Sequence, residues 1–345
     1  MVTQQNKIRV LVVDDSMVAR RLIMDGLARD PEIEIAGYAI NAMDAKSKVL
    51  QLKPDVMTCD VQMPGRSGIE FIKELLPEHP LPVVLVSSLN LGVFDALQAG
   101  AVDFVRKPDG RQSPEAFINS LIQKVKIASK AKVRKPIPAQ ANQGVGRLPN
   151  WGGNTPIVIG LGASTGGTEA TLEVVKRLPA DIPPLVIVQH MPPGFTKMYA
   201  ERLNRLCAME VYEAKHGDEL KRGVAYVAPA DLQCRVQRAP NGYMLSCRPG
   251  EKVSGHRPSV DALFFSMAEV VRCQMVGIIL TGMGADGAQG LLAMRQKGAH
   301  TIGQDQQSSV VYGMPGVAQK IGAVKEQGSC EQIANMLMRF LRTKQ

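Results

Sequence analysis

Three polar residues stand where hydrolytic chemistry could be built. Ser164 lies in Gly162-Ala163-Ser164-Thr165-Gly166, a G-x-S-x-G pattern that follows the apolar run 156–161. Small neighbours let a chain turn sharply and expose a hydroxyl, and a following helix supplies unpaired N–H groups. A serine nucleophile needs a base, and the base needs an orienting acid. His190 follows the next apolar run, 184–189, and Asp286 follows the run 275–281. If these runs are parallel strands, all three residues lie on one sheet edge. Each also has a plain structural reading. Ser164 could cap the next helix, His190 could be a strand-end histidine, and Asp286 could be the N-cap or first-turn acid of a helix over 286–297. His256, in SGHRPSVD, is a rival base or a substrate contact, and His216 is a weaker rival. Gly160, Gly162 and Gly166 also suggest a nucleotide loop. Their G-x-G-x-x-x-G spacing departs from the dinucleotide fingerprint, and the next strand ends in Gln189-His190 rather than in a ribose-binding acid.

A second set of residues suits phosphoryl chemistry. Asp14 and Asp15 follow the apolar run 8–13, Asp60 follows 55–59, Ser87 ends 83–87, and Lys107 follows 101–105. Three carboxylates invite a hard divalent cation such as magnesium. A lysine beside them pairs with an anion, and a serine hydroxyl can bond a phosphoryl oxygen. A carboxylate nucleophile on such a template accepts a phosphoryl group. Solvent-facing acids at loop starts are the plain alternative.

The elements that must position these groups read as two α/β units. In residues 1–130, short apolar runs at 8–13, 33–39, 55–59, 83–87 and 101–105 alternate with helix-like segments, and a helix is predicted over 114–130. Residues 131–152 contain three prolines and little apolar periodicity, which reads as a basic linker. In residues 153–345 strands are predicted near 156–161, 184–189, 210–213, 223–228, 275–281 and 299–303, with a helix between the first two strands and helices at 195–208, 259–270, 286–297 and 329–341. A hairpin is predicted from 233–238 and 243–247 about Pro240-Asn241-Gly242.

The net charge is +9, unevenly spread: residues 1–130 balance, and the surplus lies after them. No zinc finger, RNP-like aromatic strand or dense basic helix accompanies it, so nucleic-acid binding is not expected. No apolar run approaches a membrane span, and the six cysteines lack metal or disulfide-framework spacing, so a cytoplasmic protein without membrane insertion is expected.

VVDDS, DVQMPGRSG, VSS and VRKP, at their spacing, resemble the receiver domain of two-component response regulators. That resemblance implies a doubly wound, five-stranded parallel, flavodoxin-like fold. It also implies Asp60 as phosphoacceptor, Mg2+ held with Asp14 and Asp15, and Ser87, Phe104 and Lys107 as switch residues. Gln62 stands where many members have glutamate. GLGASTGG, QHMPPGFT, YVAPAD, SGHRPSVD and LTGMGADGA resemble the catalytic domain of chemotaxis protein-glutamate methylesterases. The second domain is then expected to be Rossmann-like and mostly parallel, with an antiparallel hairpin. This likeness implies phosphorylation-regulated hydrolysis of glutamate methyl esters, and glutamine deamidation, on chemoreceptor helices. Ser164 would be nucleophile, His190 base and Asp286 its partner, with no metal in that step. The Met283 N–H would serve the oxyanion, and Thr165 and His256 would border the site. The implied partners are methyl-accepting receptors and a chemotaxis histidine kinase, with recruitment to receptor arrays. Two other readings remain open on the residues alone: a nucleotide-dependent oxidoreductase carrying a receiver, and a non-catalytic receiver scaffold.

Overall fold

The structure, a computed structural model, describes residues 7–88, 92–108, 110, 113–133 and 148–344. It divides into two compact units, Met1–Gln140 and Ala141–Gln345. Most of the basic linker, residues 134–147, lies outside the described residues.

The first unit alternates strand and helix throughout. Its elements are β1 (Ile8–Val13), α1 (Met17–Leu27), β2 (Ile33–Ala39), α2 (Ala42–Leu52), β3 (Val56–Asp60), α3 (Gly68–Glu78), β4 (Val83–Ser87), α4 (Gly92–Gln98), β5 (Asp103–Arg106) and α5 (Pro114–Ala128). The strands pair in parallel in the order β2-β1-β3-β4-β5. Central strands β3 and β4 are buried at every position, which is why their sequences are runs rather than alternations. Ser16, Asn41, Ser67 and Ser113 accept backbone N–H bonds at helix starts and so fix where each helix begins. The strand order reverses between β1 and β3. A crevice therefore opens at their C-terminal ends, where Asp14, Asp15 and Asp60 stand.

The second unit contains β6 (Ile157–Ala163), α6 (Gly167–Val175), β7 (Leu185–Gln189), α7 (Phe195–Leu206), β8 (Glu210–Glu213), β9 (Val224–Val227), β10 (Gln233–Ala239), β11 (Gly242–Arg248), α8 (Val260–Val270), β12 (Gln274–Ile279), α9 (Ala288–Gln296), β13 (His300–Gln304), α10 (Met314–Lys320), β14 (Glu326–Gly328) and α11 (Cys330–Arg342). Seven parallel strands run in the order β14-β13-β12-β6-β7-β9-β8, and β10–β11 form a separate antiparallel hairpin. The first strand of the unit is thus central, with β7 on one side and β12 on the other. Its C-terminal end is the switch point where ligands of such sheets bind. A Cβ on Gly162 would fall 2.2 Å from Val260 Cγ1. Glycine there lets the first turn of α8 lie directly against β6, a packing role rather than the sharp turn suggested by G-x-S-x-G.

Two elements lie outside the predicted set. Helix α10 opens with Met314-Pro315-Gly316, whose composition reads as a turn, yet Met314 and Ala318 are fully buried. Strand β14 is a three-residue polar edge (Glu-Gln-Gly) with no apolar run to announce it. The end of the predicted linker also packs. Leu148 N–H bonds Arg177 O, the backbone N–H groups of Trp151 and Gly152 bond the Asp181 carboxylate, and Trp151 Nε1 donates to Leu341 O at 3.0 Å. The Trp151 ring is buried, with the Arg222 guanidinium over it. Trp151→Ala should therefore destabilise this unit by about 3–5 kcal/mol, the usual cost of emptying a buried aromatic site. Calorimetry should show its transition falling by on the order of 10 °C, with the first unit's transition unmoved. An unchanged upper and lower transition would contradict this packing role.

Candidate active site

Ser164, His190 and Asp286 meet at the central switch point of the seven-stranded sheet. Ala163 and Gln189 are register partners on β6 and β7, and His190 N–H donates to Ala163 O at 3.1 Å, so Ser164 and His190 leave adjacent strand ends. The buried serine is held through its backbone. Its N–H donates to Thr281 O (3.0 Å), and its carbonyl accepts from Gly167 N–H (2.7 Å) and Gln189 Nε2 (2.8 Å). Thr281 Oγ1 in turn donates to Thr165 O, and Gln304 Oε1 accepts the Thr281 N–H. A Cβ on Gly282 would lie 2.7 Å from Ser164 Cβ, so the loop after β12 can pass the serine only as glycine. Met283 follows it, 39% exposed, and its N–H donates to no group among the described residues.

His190 Nε2 lies 2.8 Å from Asp286 Oδ2. Its other ring nitrogen, Nδ1, is buried and makes no hydrogen bond. Nδ1 is therefore the ring nitrogen available to accept a proton. Hydrogen bonds at catalytic sites commonly tighten only with substrate. His256 stacks on His190, ring centroids 3.8 Å apart and planes 10° from parallel. The two candidate bases thus pack face to face, while His216 bonds Arg248 elsewhere.

Asp286 does not cap its own helix, which starts two residues later with Gly287 as N-cap. It sits instead on the N-terminus of α8. Ser259 Oγ donates to Oδ1 at 2.7 Å, Asp261 N–H to Oδ1 at 2.9 Å and Val260 N–H to Oδ2 at 2.8 Å. The compliment is returned by Asp261, which accepts Gly290 N–H in the first turn of α9. Burial alone would raise the Asp286 pKa. The His190 bond and charge, the Asp261 N–H and the Ser259 hydroxyl outweigh it and hold the carboxyl below its ordinary value. The sequence reasoning missed Ser259, although a serine directly before an apolar helix is a readable N-cap signal.

In the first unit, Lys107 Nζ lies 2.6 Å from Asp60 Oδ2 and 2.9 Å from Asp14 Oδ2. Burial raises the Asp60 pKa above its ordinary value despite Lys107. Burial would depress Lys107, but its bonds to both acids raise it, because one ammonium serves two carboxylates. Ligand atoms of Asp14, Asp15 and Asp60 lie within 4.8 Å of one another. Three carboxylates against one lysine leave a negative surplus made of oxygen donors, a set that fits a hard dication. Ser87 ends β4 beside them, its hydroxyl bonded to Ser88 O, and Phe104 is buried on β5.

Residues 159–337 match the family CheB methylesterase, and residues 10–118 match the response regulator receiver domain. The chain belongs to the CheB methylesterase family. Protein-glutamate methylesterase/protein-glutamine glutaminase 2 of Syntrophomonas wolfei is 49% identical over 346 residues, covering 97% of this chain and 98% of that protein. The Agrobacterium fabrum protein-glutamate methylesterase/protein-glutamine glutaminase is 45% identical over 345 residues, covering 96% of each chain. The crystal structure of the Thermotoga maritima CheB methylesterase catalytic domain superposes with a TM-score of 0.52 at 33% identity, covering 55% of this chain and all of that one. Similarity along almost the whole chain to proteins named methylesterase and glutaminase sets aside the oxidoreductase and scaffold readings.

The low Asp286 pKa has a consequence for this family member. Stability from its ionised form is complete above the ordinary aspartate value of about 3.9 and is lost as pH falls through the lower folded-state value. Asp286→Asn places an amide against two N–H donors. It should lower Tm at neutral pH and flatten the acid limb of a Tm profile measured from pH 2 to 7. Parallel profiles for the two proteins would contradict this account of the carboxylate.

Proposed function

We propose that this chain hydrolyses glutamate methyl esters on chemoreceptor signalling helices, and deamidates glutamines there, through Ser164, His190 and Asp286. The observation that carries the reading is the His190–Asp286 bond at the end of the strand beside Ser164. Ser164 Oγ attacks the side-chain carbonyl carbon of the methyl-glutamyl residue as His190 Nδ1 takes its proton. The tetrahedral oxyanion is stabilised by the Met283 N–H, a contribution of about 3–4 kcal/mol for a well-placed donor. Collapse expels methanol, protonated by His190, and leaves an acyl-serine. Water, deprotonated by His190, attacks that ester and frees glutamate and Ser164. Glutamine follows the same course with ammonia as leaving group. Asp286 holds the imidazole tautomer and stabilises the imidazolium. Thr165 and His256 border the substrate carbonyl.

Regulation is assigned to the receiver, within residues 1–130, with 131–152 as linker and 153–345 as the catalytic domain. The Asp60 carboxylate attacks the phosphorus of a phosphohistidine or a small acyl phosphate, and the leaving group departs on the opposite side. Asp14, Asp15 and Asp60 would hold Mg2+, which supplies charge neutralisation for the phosphoryl oxygens. Lys107 and the Ser87 hydroxyl pair with the phosphoryl group, and Phe104 transmits the change. The partners are the receptor helices and a chemotaxis histidine kinase, in the cytoplasm at receptor arrays. No helix among the described residues is long and apolar enough to cross a membrane.

Methanol and ammonia release from methylated receptor, with and without a small acyl phosphate and magnesium, tests the reading. Ser164→Ala should reduce both products to background while the chain stays folded. Asp60→Asn should remove the stimulation by phosphodonor. Continued methanol release from Ser164→Ala, or undiminished stimulation of Asp60→Asn, would overturn it.

A further inference from the structure

The base and its acid each depend on one loop, residues 249–259, which joins β11 to α8. His256 in that loop stacks on His190, and Ser259 at its end donates to Asp286. The loop has little regular structure of its own. A single bridge between Val253 and His256 closes it, Asp231 N–H donates to Arg257 O, the Arg257 side chain bonds Asp231 and Gly250 O, and one buried side chain from outside bonds its backbone three times. That side chain is Gln233, the first residue of β10. Its Nε2 donates to Glu251 O and to His256 O, both at 2.9 Å, and its Oε1 accepts the Ser259 N–H at 3.0 Å. Gln233 is buried, as is its bond to Ser259 N–H, while the bonds to Glu251 O and His256 O are part-buried.

We propose that Gln233 is a positioning residue for hydrolysis, its carboxamide fixing the backbone of His256 and Ser259 and through them the His190–Asp286 pair. The proposal rests on the reading of that pair as base and orienting acid. An amide offers two donors and an acceptor oxygen with two lone pairs in one plane, and here three backbone groups of one loop take both donors and one of the acceptor sites. No other natural side chain of the same shape matches that pattern. Glutamate would keep the acceptor for Ser259 N–H but set a second oxygen against the carbonyls of Glu251 and His256. Methionine would keep the volume and lose all three bonds. Either change frees the two loop residues that touch the dyad. Displacements of about 1 Å at a reacting group can cost on the order of a hundredfold in rate. None of the three Gln233 side-chain bonds goes to Ser164, so substrate affinity should move less than turnover.

The experiment compares Gln233→Glu and Gln233→Met with the unaltered full-length chain. Turnover is counted per folded molecule, with folding measured by circular dichroism and thermal unfolding. Proton NMR follows the hydrogen-bonded ring proton on His190 Nε2 facing Asp286. Both variants should lose about tenfold or more in kcat with KM changed less than threefold, and the His190 ring-proton resonance should shift or broaden. A residue that merely stabilises the fold would lower Tm while leaving kcat per folded molecule and the resonance as they were, and that result overturns the proposal. In the unaltered chain, the Ser259 amide should resist hydrogen exchange as strongly as the first turn of α8. Rapid exchange there overturns the proposal even if neither variant folds. The reading of the site is judged separately, by methanol release from the unaltered chain and its loss in Ser164→Ala.

Discussion

A buried carboxylate on a helix N-terminus is the constraint on which the catalytic unit depends. Asp286 is nearly inaccessible to solvent, and a lone charge there would be costly. Ser259, Val260 and Asp261 supply three donors at the positive end of α8, and His190 supplies a fourth contact. That arrangement keeps the acid ionised and fixes the imidazole facing it. It also ties three distant stretches together: the end of β7, the start of α8 and the loop after β12. Gly162 permits the approach, because any larger residue would push α8 away from β6.

The two units solve the same electrostatic problem by different means. Each gathers buried acids at the C-terminal ends of parallel strands. In the receiver, a lysine on the loop after β5 serves Asp14 and Asp60 together, and the oxygen-rich surplus suits a metal and a phosphoryl group. In the catalytic unit, the N–H groups of α8, the Ser259 hydroxyl and His190 compensate the carboxylate instead. A mobile charge suits a site that switches between states. A fixed dipole suits a site whose geometry must persist through repeated turnovers.

Much of this was legible in the sequence, for a physical reason. Parallel strands buried on both faces are short apolar runs, and the polar residue ending each run stands on the functional edge. Asp14, Asp60, Ser87, Lys107, Ser164, His190 and Asp286 are singled out that way as candidates. The seat of Asp286 on α8 is not. A helix-start acid could serve its own helix, and only the fold reveals that it serves α8. Gln233 is hidden because its partners are long-range backbone groups, which carry no residue signature; Ser259 is readable as an N-cap, but its bond to Asp286 is not. Helix α10 was missed because Pro315 and Gly316 look like a turn, although proline is well suited to a first helical turn. Trp151 fell in a stretch whose prolines and charges resemble a tether, and its burial against α11 arises from a contact 190 residues away.

The central claim is that Ser164 is a nucleophile activated by a base that Asp286 holds in place. Covalent trapping with a fluorophosphonate, a reagent that phosphonylates activated serines, tests it without any receptor. Mass spectrometry of the digested full-length chain should find the adduct on Ser164. The labelling rate should fall by about tenfold or more in Asp286→Asn. An adduct on a different residue, or labelling of Ser164 at an unchanged rate when Asp286 is replaced, would contradict the account.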